Sequence, residues 1–398
     1  MWFRVRQPRG RSAAGPVASG RVRITETDGN APTREHVSTQ TKIALCYGTR
    51  PQTIKASVLR TALGQVAPVV SIDSGQHYDF ALSGLLYEEL GVPPADYYLE
   101  VGSGLHGAQT AKVLERSEAL LRTVGPGAVV VIGDTNSTLG MALAAAKLRL
   151  PVVHVEAGLR AVDRQMAEEL NRRLVDALSD VLCTPSERAS TALRHEGVGG
   201  HIVLTGDVAR DVLLRAVRQL PAPAQAPRFA LVTLHRAELV DDERQLRRVV
   251  SVIERLPLDV RWPVHPRTRA AMERAGIPGA SGRRLKLGEP VGYLDAIRLI
   301  RDASVVITDS GGVQREAYWL GTPCITLRGE TEWAETVASG ANKLLSPEAV
   351  EELPVLVQQV IDDQRPDWPR DAYGEGDAAI RVAATVRDIV LAAPSSLT

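Results

Sequence analysis

The chain has 398 residues, a formal net charge of zero and an isoelectric point near 7.1. That length suits two domains, each with its own core, and the balanced charge excludes a global field drawing the protein to nucleic acid or an acidic membrane. Only 4% of residues are aromatic, which fits Val/Ile strands in α/β layers better than an aromatic-rich β-sandwich.

Residues 1–40 carry Arg4, Arg6, Arg9, Arg11, Arg21 and Arg23 among Gly, Ser, Pro and Thr, and read as a disordered N-terminal extension. From Lys42 onward, short apolar runs alternate with helical patterns. The runs are Ile43–Cys46, Val69–Ile72, Ala128–Ile132, Val152–Val155 and Val181–Cys183. Apolar on both faces, they read as parallel strands separated by crossover helices. Each ends in a polar loop, and in an open parallel sheet such loops collect at the carboxyl edge, where ligands bind.

After Gly206, the segment Pro221–Pro227 is rich in Pro and Ala, and a second series follows. Its strands are Ala230–Leu234, Val260–Val264, Leu285–Leu287, Val305–Thr308 and Cys324–Leu327. The expected fold class is therefore α/β, with two doubly wound Rossmann-like domains facing a central cleft. The expected divisions are 41–206 and 207–377. Cys46, Cys183 and Cys324 are widely spaced in or beside apolar runs, and read as buried thiols in a reducing compartment with no zinc spacing. No apolar stretch reaches the roughly 18 residues of a membrane span, and no signal-peptide core is present, so a soluble cytoplasmic protein is expected.

Three carboxylates stand at loops of the first series: Asp134, Glu156 and Glu168. A carboxylate at a strand end serves as a general acid or base if its surroundings bring its pKa toward the working pH, although each could equally cap a helix. Arg50 and Lys55 follow the first strand and suit a diphosphate. In the second series, His235-Arg236 and His265-Arg267 are basic pairs at strand ends, and an imidazole there suits a phosphate or a leaving group.

Asp309-Ser310-Gly311-Gly312-Val313-Gln314-Arg315-Glu316 reads as strand, glycine turn and short helix. Ser310, Gly311 and Gly312 bring backbone N–H groups and a positive dipole end to a phosphate, and Glu316 suits a ribose diol. A dinucleotide fingerprint needs G-x-G-x-x-G and an acid about 20 residues on, so no NAD is read here. Gly102-Ser103-Gly104 opens another glycine loop without the Lys-Ser/Thr ending of a P-loop.

Taken together, these residues resemble the non-hydrolysing UDP-N-acetylglucosamine 2-epimerases, from about Lys42 to about Ala392. The matching stretches are Gly48-Thr49-Arg50-Pro51 with Lys55, Gly75-Gln76-His77, Gly133-Asp134-Thr135, His154 to Arg160, Glu168-Glu169 with Asn171-Arg172, His235-Arg236, Asp309 to Glu316, and Tyr373-Gly374-Glu375-Gly376. The resemblance implies a glycosyltransferase-B architecture, a homodimer, and a C-terminal helix, about 378–398, completing the first domain. It implies inversion at C2 of a UDP-sugar by elimination and re-addition of UDP, with no nicotinamide cofactor and no metal.

Asp134, Glu156 and Glu168 become the acid–base set, with His235 and Arg50 holding the departing diphosphate. Arg160, Arg172, Arg236 and His265 join the substrate-binding set, and Gln76 and His77 match a second, activating UDP-GlcNAc site of some members. Gln52 and Ala167 depart from the family's usual Glu and Pro. Thr326 to Trp333 resembles the branch containing archaeal epimerases and those acting on 2,3-diacetamido glucuronate nucleotides, which leaves the sugar's C3 and C6 groups open. The alternatives are a modified UDP-sugar, a hydrolysing epimerase and a glycosyltransferase of the same fold.

Overall fold

The structure, a computed structural model, describes residues 41–76, 91–223, 229–277, 284–363 and 367–392. The N-terminal extension and His77 lie outside the described residues. Strands β1 to β7 are Ile43–Tyr47, Val69–Asp73, Tyr97–Tyr98, Ala128–Ile132, Val152–Val155, Val181–Thr184 and His201–Leu204. Strands β8 to β13 are Phe229–Thr233, Asp259–Pro263, Leu285–Gly288, Val305–Thr308, Cys324–Thr326 and Asn342–Leu344. Among the described residues they form two sheets, ordered β3-β2-β1-β4-β5-β6-β7 and β10-β9-β8-β11-β12-β13, and every pairing is parallel.

Both orders reverse direction beside the first strand of the series, so each sheet has a switch point between β1 and β4 or between β8 and β11. Helices diverge there to opposite faces and leave a crevice at the carboxyl edge. The central strands are buried along their whole length, with β1, β4, β5 and β11 closed to solvent on both faces. Two apolar layers flank the first sheet, one containing Ile43, Leu45 and Val130 and the other Ala44, Val129 and Val131. The alternation along β1 and β4 divides these residues between the layers. Cys46, Cys183 and Cys324 are free and buried, and burial pushes each thiol up to about 12. Strands β7 and β13 are sheet edges that the sequence does not announce.

The chain crosses between the sheets twice, and the two crossings touch. Gly206 (φ +87°) lies so close to Gly374 (φ +84°) that a β-carbon on Gly206 would meet the Tyr373 carbonyl at 3.0 Å. The Asp207 N–H donates to that same carbonyl at 2.9 Å. Past the second crossing, Ala378–Thr385 forms a helix whose first N–H groups are capped by Asp211, at 3.1 Å from Ala378 and 3.0 Å from Ala379. Its Ala379, Val382 and Ala383, and Val386 just beyond it, pack in the same core as Ile43 and Leu59. The C-terminal helix is thereby tied to the first sheet.

Candidate active site

On the first sheet, β4 and β5 end side by side, and the residues after them carry the strongest local chemistry. Glu156 follows β5 with φ +70°, a left-handed conformation that costs a non-glycine residue free energy and points to a constraint. Its side chain is 6% exposed, and Lys55 Nζ lies 2.6 Å from both carboxylate oxygens. Arg315 Nη1, from the other sheet's side of the cleft, lies 3.3 Å from Oε1. Burial opposes the charge on Glu156, but Lys55 and Arg315 together hold its carboxyl below the usual carboxylate range.

Asp134 follows β4 and pairs with Arg172 Nη2 at 2.5 Å. Its backbone is held from behind, because Asn171 Nδ2 donates to the Asp134 carbonyl at 2.9 Å and to Asn136 Oδ1 at 3.2 Å. Asn136 in turn donates to Gln109 Oε1 at 2.8 Å, which gives the second glycine loop a supporting role. Arg172 is buried against Asp134, Glu332 of the second sheet and Glu169, and those anions keep it charged against the cost of burial.

The β1–β4 junction is fastened by one neutral side chain. Gln52 Oε1 accepts from the N–H groups of Gly48 and Thr49 at 2.9 and 3.2 Å. Its amide donates to the Ile132 carbonyl, Thr138 Oγ1 and Thr135 Oγ1 at 2.6, 3.0 and 3.1 Å. Gln52 thus joins the loop carrying Arg50 to the loop carrying Asp134. Gln52 uses both halves of its amide, accepting through one and donating through the other. Gln76 is also buried, and its Oε1 accepts from the Ser137 hydroxyl and N–H at 2.6 and 3.2 Å.

Opposite, the Gly311–Leu320 helix begins at the glycine turn with Ser310 as its N-cap, and no side chain caps its first N–H groups. Gly311 has no room for a β-carbon, which would sit 2.8 Å from Trp333 Nε1. Asp309 fixes the neighbouring loop: its Oδ2 accepts from the N–H groups of His235 and Arg236, both at 2.8 Å, and its Oδ1 lies 3.0 Å from His235 Nδ1. Burial opposes its charge, but His235 and those N–H groups keep Asp309 below the usual range. The His235 and His265 rings face each other with centroids 5.3 Å apart. Burial, and then the neighbouring His235, pull the His265 imidazole down; Arg50, reaching from the first sheet, adds to this.

Glu316 is half-buried and hydrogen-bonded to Tyr293; burial pushes its carboxyl up to about 7 against the pull of Arg315 and that hydroxyl. A cavity of about 330 Å³ opens between Asp163 and Met166 on one side and Arg236, Asp309 and Arg328 on the other. Its lining reaches the Asp309 end of the cleft and does not include Glu156 or Asp134.

Two residues of the expected site make no contact with Glu156 or Asp134 among the described residues. Glu168 is exposed on the first turn of the Ala167–Leu178 helix, with no ion pair among the described residues, while its neighbour Glu169 is fully buried. Glu169 accepts from the Ala161 N–H at 2.9 Å and pairs with Arg172 and Arg173 at 3.3 and 2.8 Å. Arg160 spends its guanidinium on Asp176 and Glu196, at 2.7 and 2.6 Å. His154, fully buried, bridges Asp176 at 2.7 Å and the Gly133 carbonyl at 2.8 Å, a supporting role. Arg315 joins this cluster from the Gly311–Leu320 helix, and no local pattern in the sequence signals it.

Two parallel-sheet domains of glycosyltransferase-B type, with acids on one wall of a cleft and an anion-ready helix start on the other, define the class of protein. A family model described as "UDP-N-acetylglucosamine 2-epimerase" matches residues 64–387. The chain is 40% identical over 356 residues, 86% of its own length and 98% of the relative's, to the Pseudomonas aeruginosa UDP-2,3-diacetamido-2,3-dideoxy-D-glucuronate 2-epimerase. The crystal structure of the Methanocaldococcus jannaschii UDP-GlcNAc 2-epimerase, in complex with UDP-GlcNAc and UDP, is similar with a TM-score of 0.79 at 36% identity, covering 87% of this chain and 99% of that one. The Neisseria meningitidis UDP-GlcNAc 2-epimerase bound to UDP-GlcNAc gives 0.77 at 25% identity, covering 87% and 99%. The chain belongs to the UDP-N-acetylglucosamine 2-epimerase family.

Proposed function

We propose that the protein interconverts UDP-GlcNAc and UDP-ManNAc without a nicotinamide cofactor or a metal. The observation that carries this reading is the buried Glu156 at a strand end, held by Lys55 and Arg315, across the cleft from a helix whose first N–H groups no side chain caps. The C2 proton of the sugar adjoins no carbonyl, so direct abstraction faces a high barrier. Loss of a diphosphate from C1 offers another route. A carboxylate removes the C2 proton, the C–H electrons form the C1–C2 double bond, and the C1–O bond breaks toward UDP. A second acid then delivers a proton to the opposite face of C2 while UDP re-adds at C1.

In this reading the first unit, 41–206 with the helix from 378, supplies Asp134, Glu156 and Glu168 as the acid–base set. Glu168 contributes from the exposed first turn of the Ala167–Leu178 helix, which also carries Arg172. The second unit, 207–377, holds UDP: Ser310, Gly311 and Gly312 at the phosphates, Glu316 at the ribose, and His235, Arg236 and His265 beside the leaving oxygen. Arg50, Lys55 and Arg172 complete the cationic lining. Arg160 supports the first unit through Asp176, and Gln76 shapes the floor of the β1–β4 junction. The working form is a cytoplasmic homodimer, which light scattering of the purified protein tests.

Incubation with UDP-GlcNAc alone in heavy water tests the chemistry. The expected result is deuterium at C2 of both UDP-sugars. Unlabelled sugar with no manno product would sink the reading, and release of free sugar with UDP would establish a hydrolysing outcome. A second substrate, a 2,3-diacetamido glucuronate nucleotide, is favoured by the 40% identity to the Pseudomonas relative. Comparing kcat/KM for UDP-sugars differing at C3 and C6 decides between them.

A further inference from the structure

We propose that Arg315 is a positioning residue for Glu156. Carried by the nucleotide-anchoring helix of one domain, its guanidinium crosses the cleft and holds the carboxylate of the other domain as the proton acceptor. The inference rests on the epimerase reading for its chemistry, and on geometry for its structure.

Arg315 is 6% exposed and sits one residue before Glu316 in the Gly311–Leu320 helix. Its Nη1 lies 3.3 Å from Glu156 Oε1 and also bonds Asp207 Oδ2. Its charged plane lies over the Trp333 ring, 3.7 Å from the centroid. A guanidinium is suited to this place, because its edge serves two carboxylates while its face rests on an indole, and a lysine cannot do both. Asp207 is itself held at the domain crossing, as the N-cap of the Val208–Val217 helix and through the Tyr373 carbonyl. The chain of contacts runs from the crossing through Asp207 and Arg315 to Glu156 and on to Lys55.

Two anions and two cations balance in this cluster. Lys55 reaches Glu156 from the Arg50–Leu63 helix; Arg315 reaches it from the opposite domain. Glu316 and the Tyr293 and Tyr373 hydroxyls face the same buried charges, and Asp134 with Arg172 occupies the next strand end. Removing Arg315 leaves Glu156 to Lys55 and takes from Asp207 the guanidinium it pairs with, so proton uptake by Glu156 becomes easier. Removing the charge of Asp207 leaves Arg315 entirely to Glu156. The two changes therefore act in opposite directions on one titration.

The test compares Arg315→Met, Arg315→Lys and Asp207→Asn with the parent enzyme, reading C2 deuterium exchange from about pH 3 to 9, a window that includes the range below the usual carboxylate values where the parent's limb falls. Arg315→Met is expected to move the acid limb of kcat up by about one unit and to lower kcat near neutrality about tenfold, with KM changed less. Arg315→Lys recovers part of both, and Asp207→Asn leaves the limb in place or moves it down. An acid limb unmoved in Arg315→Met, with only a lowered melting temperature, would overturn the proposal. Carboxyl-carbon NMR titration of Glu156 in the same proteins follows its midpoint without turnover. A parent that exchanges nothing at C2 counts against the epimerase reading; a Glu156 midpoint unmoved by Arg315→Met counts against this one.

Discussion

The two walls of the cleft share a plan of parallel strands, yet they carry opposite kinds of polarity. On the first, the working groups are side chains already engaged with partners: Glu156 with Lys55 and Arg315, Asp134 with Arg172. On the second, the central feature is backbone, the uncapped N-terminus of the Gly311–Leu320 helix, with Asp309 bracing the loop beside it. Paired carboxylates are held in fixed positions by their partners, as proton transfer at carbon requires. Free N–H groups wait for an anion. The difference matches the proposed division, with chemistry on one wall and anchoring on the other.

The largest effect is expected where that division is most exposed to test. Glu156→Gln keeps the shape and removes the base, so C2 exchange should fall by about a thousandfold or more while UDP affinity stays within about threefold. Calorimetry with UDP beside the heavy-water assay measures both. Exchange retained at the parental rate would break the comparison, because the first wall would then carry no essential acid or base. Gly311→Ala probes the other wall, since the added methyl meets Trp333 Nε1 at 2.8 Å. UDP affinity should drop about tenfold, worth about 1.4 kcal/mol. Turnover at saturating substrate should suffer less, and the reverse pattern would place chemistry on the wrong wall.

Glu316 gives a pH signature. Burial pushes its carboxyl up to about 7 in the empty site, and a ribose diol donates to the ionised form. Binding therefore favours loss of the proton. UDP affinity should rise as pH increases from about 6 to 8, level off above that range, and lose most of this dependence in Glu316→Gln. Proton release on binding, measured in two buffers of different ionisation enthalpy, gives the same sign independently.

Much of this arrangement was legible in the sequence because buried parallel strands read as unbroken apolar runs, and β1, β4, β5 and β11 are such runs. Strands β7 and β13 escaped notice because they are short edges with partly exposed residues, whose pattern resembles a loop. The polar loops were legible as strand ends, but the direction of each side chain was not. Glu168 and Glu169 are adjacent, and tertiary packing alone puts the second inside and leaves the first in solvent. Arg160 is drawn away by Asp176 and Glu196. Arg315 could not be read at all, since its partners Asp207 and Glu156 lie 108 and 159 residues away.

The smallest effect concerns what holds the first wall together. Gln52, 3% exposed, makes five hydrogen bonds that join the β1 and β4 loops. Gln52→Met keeps the volume and leaves the Gly48 and Thr49 N–H groups without their acceptor, at a cost of about 2–3 kcal/mol in unfolding free energy. The melting temperature should fall while UDP affinity, proposed to reside on the other wall, holds. Gln52→Glu sharpens the point, because a carboxylate still accepts from both N–H groups but cannot donate to the Ile132 carbonyl unless protonated. A folded state that favours the protonated form has a raised pKa, so its advantage is present at low pH and lost as pH rises through that value. Gln52→Glu should therefore approach the parent's stability in acid and fall below it near neutrality. A stability gap between the two that does not change with pH would mean that the donated bonds contribute nothing, and that the loops are held by packing alone.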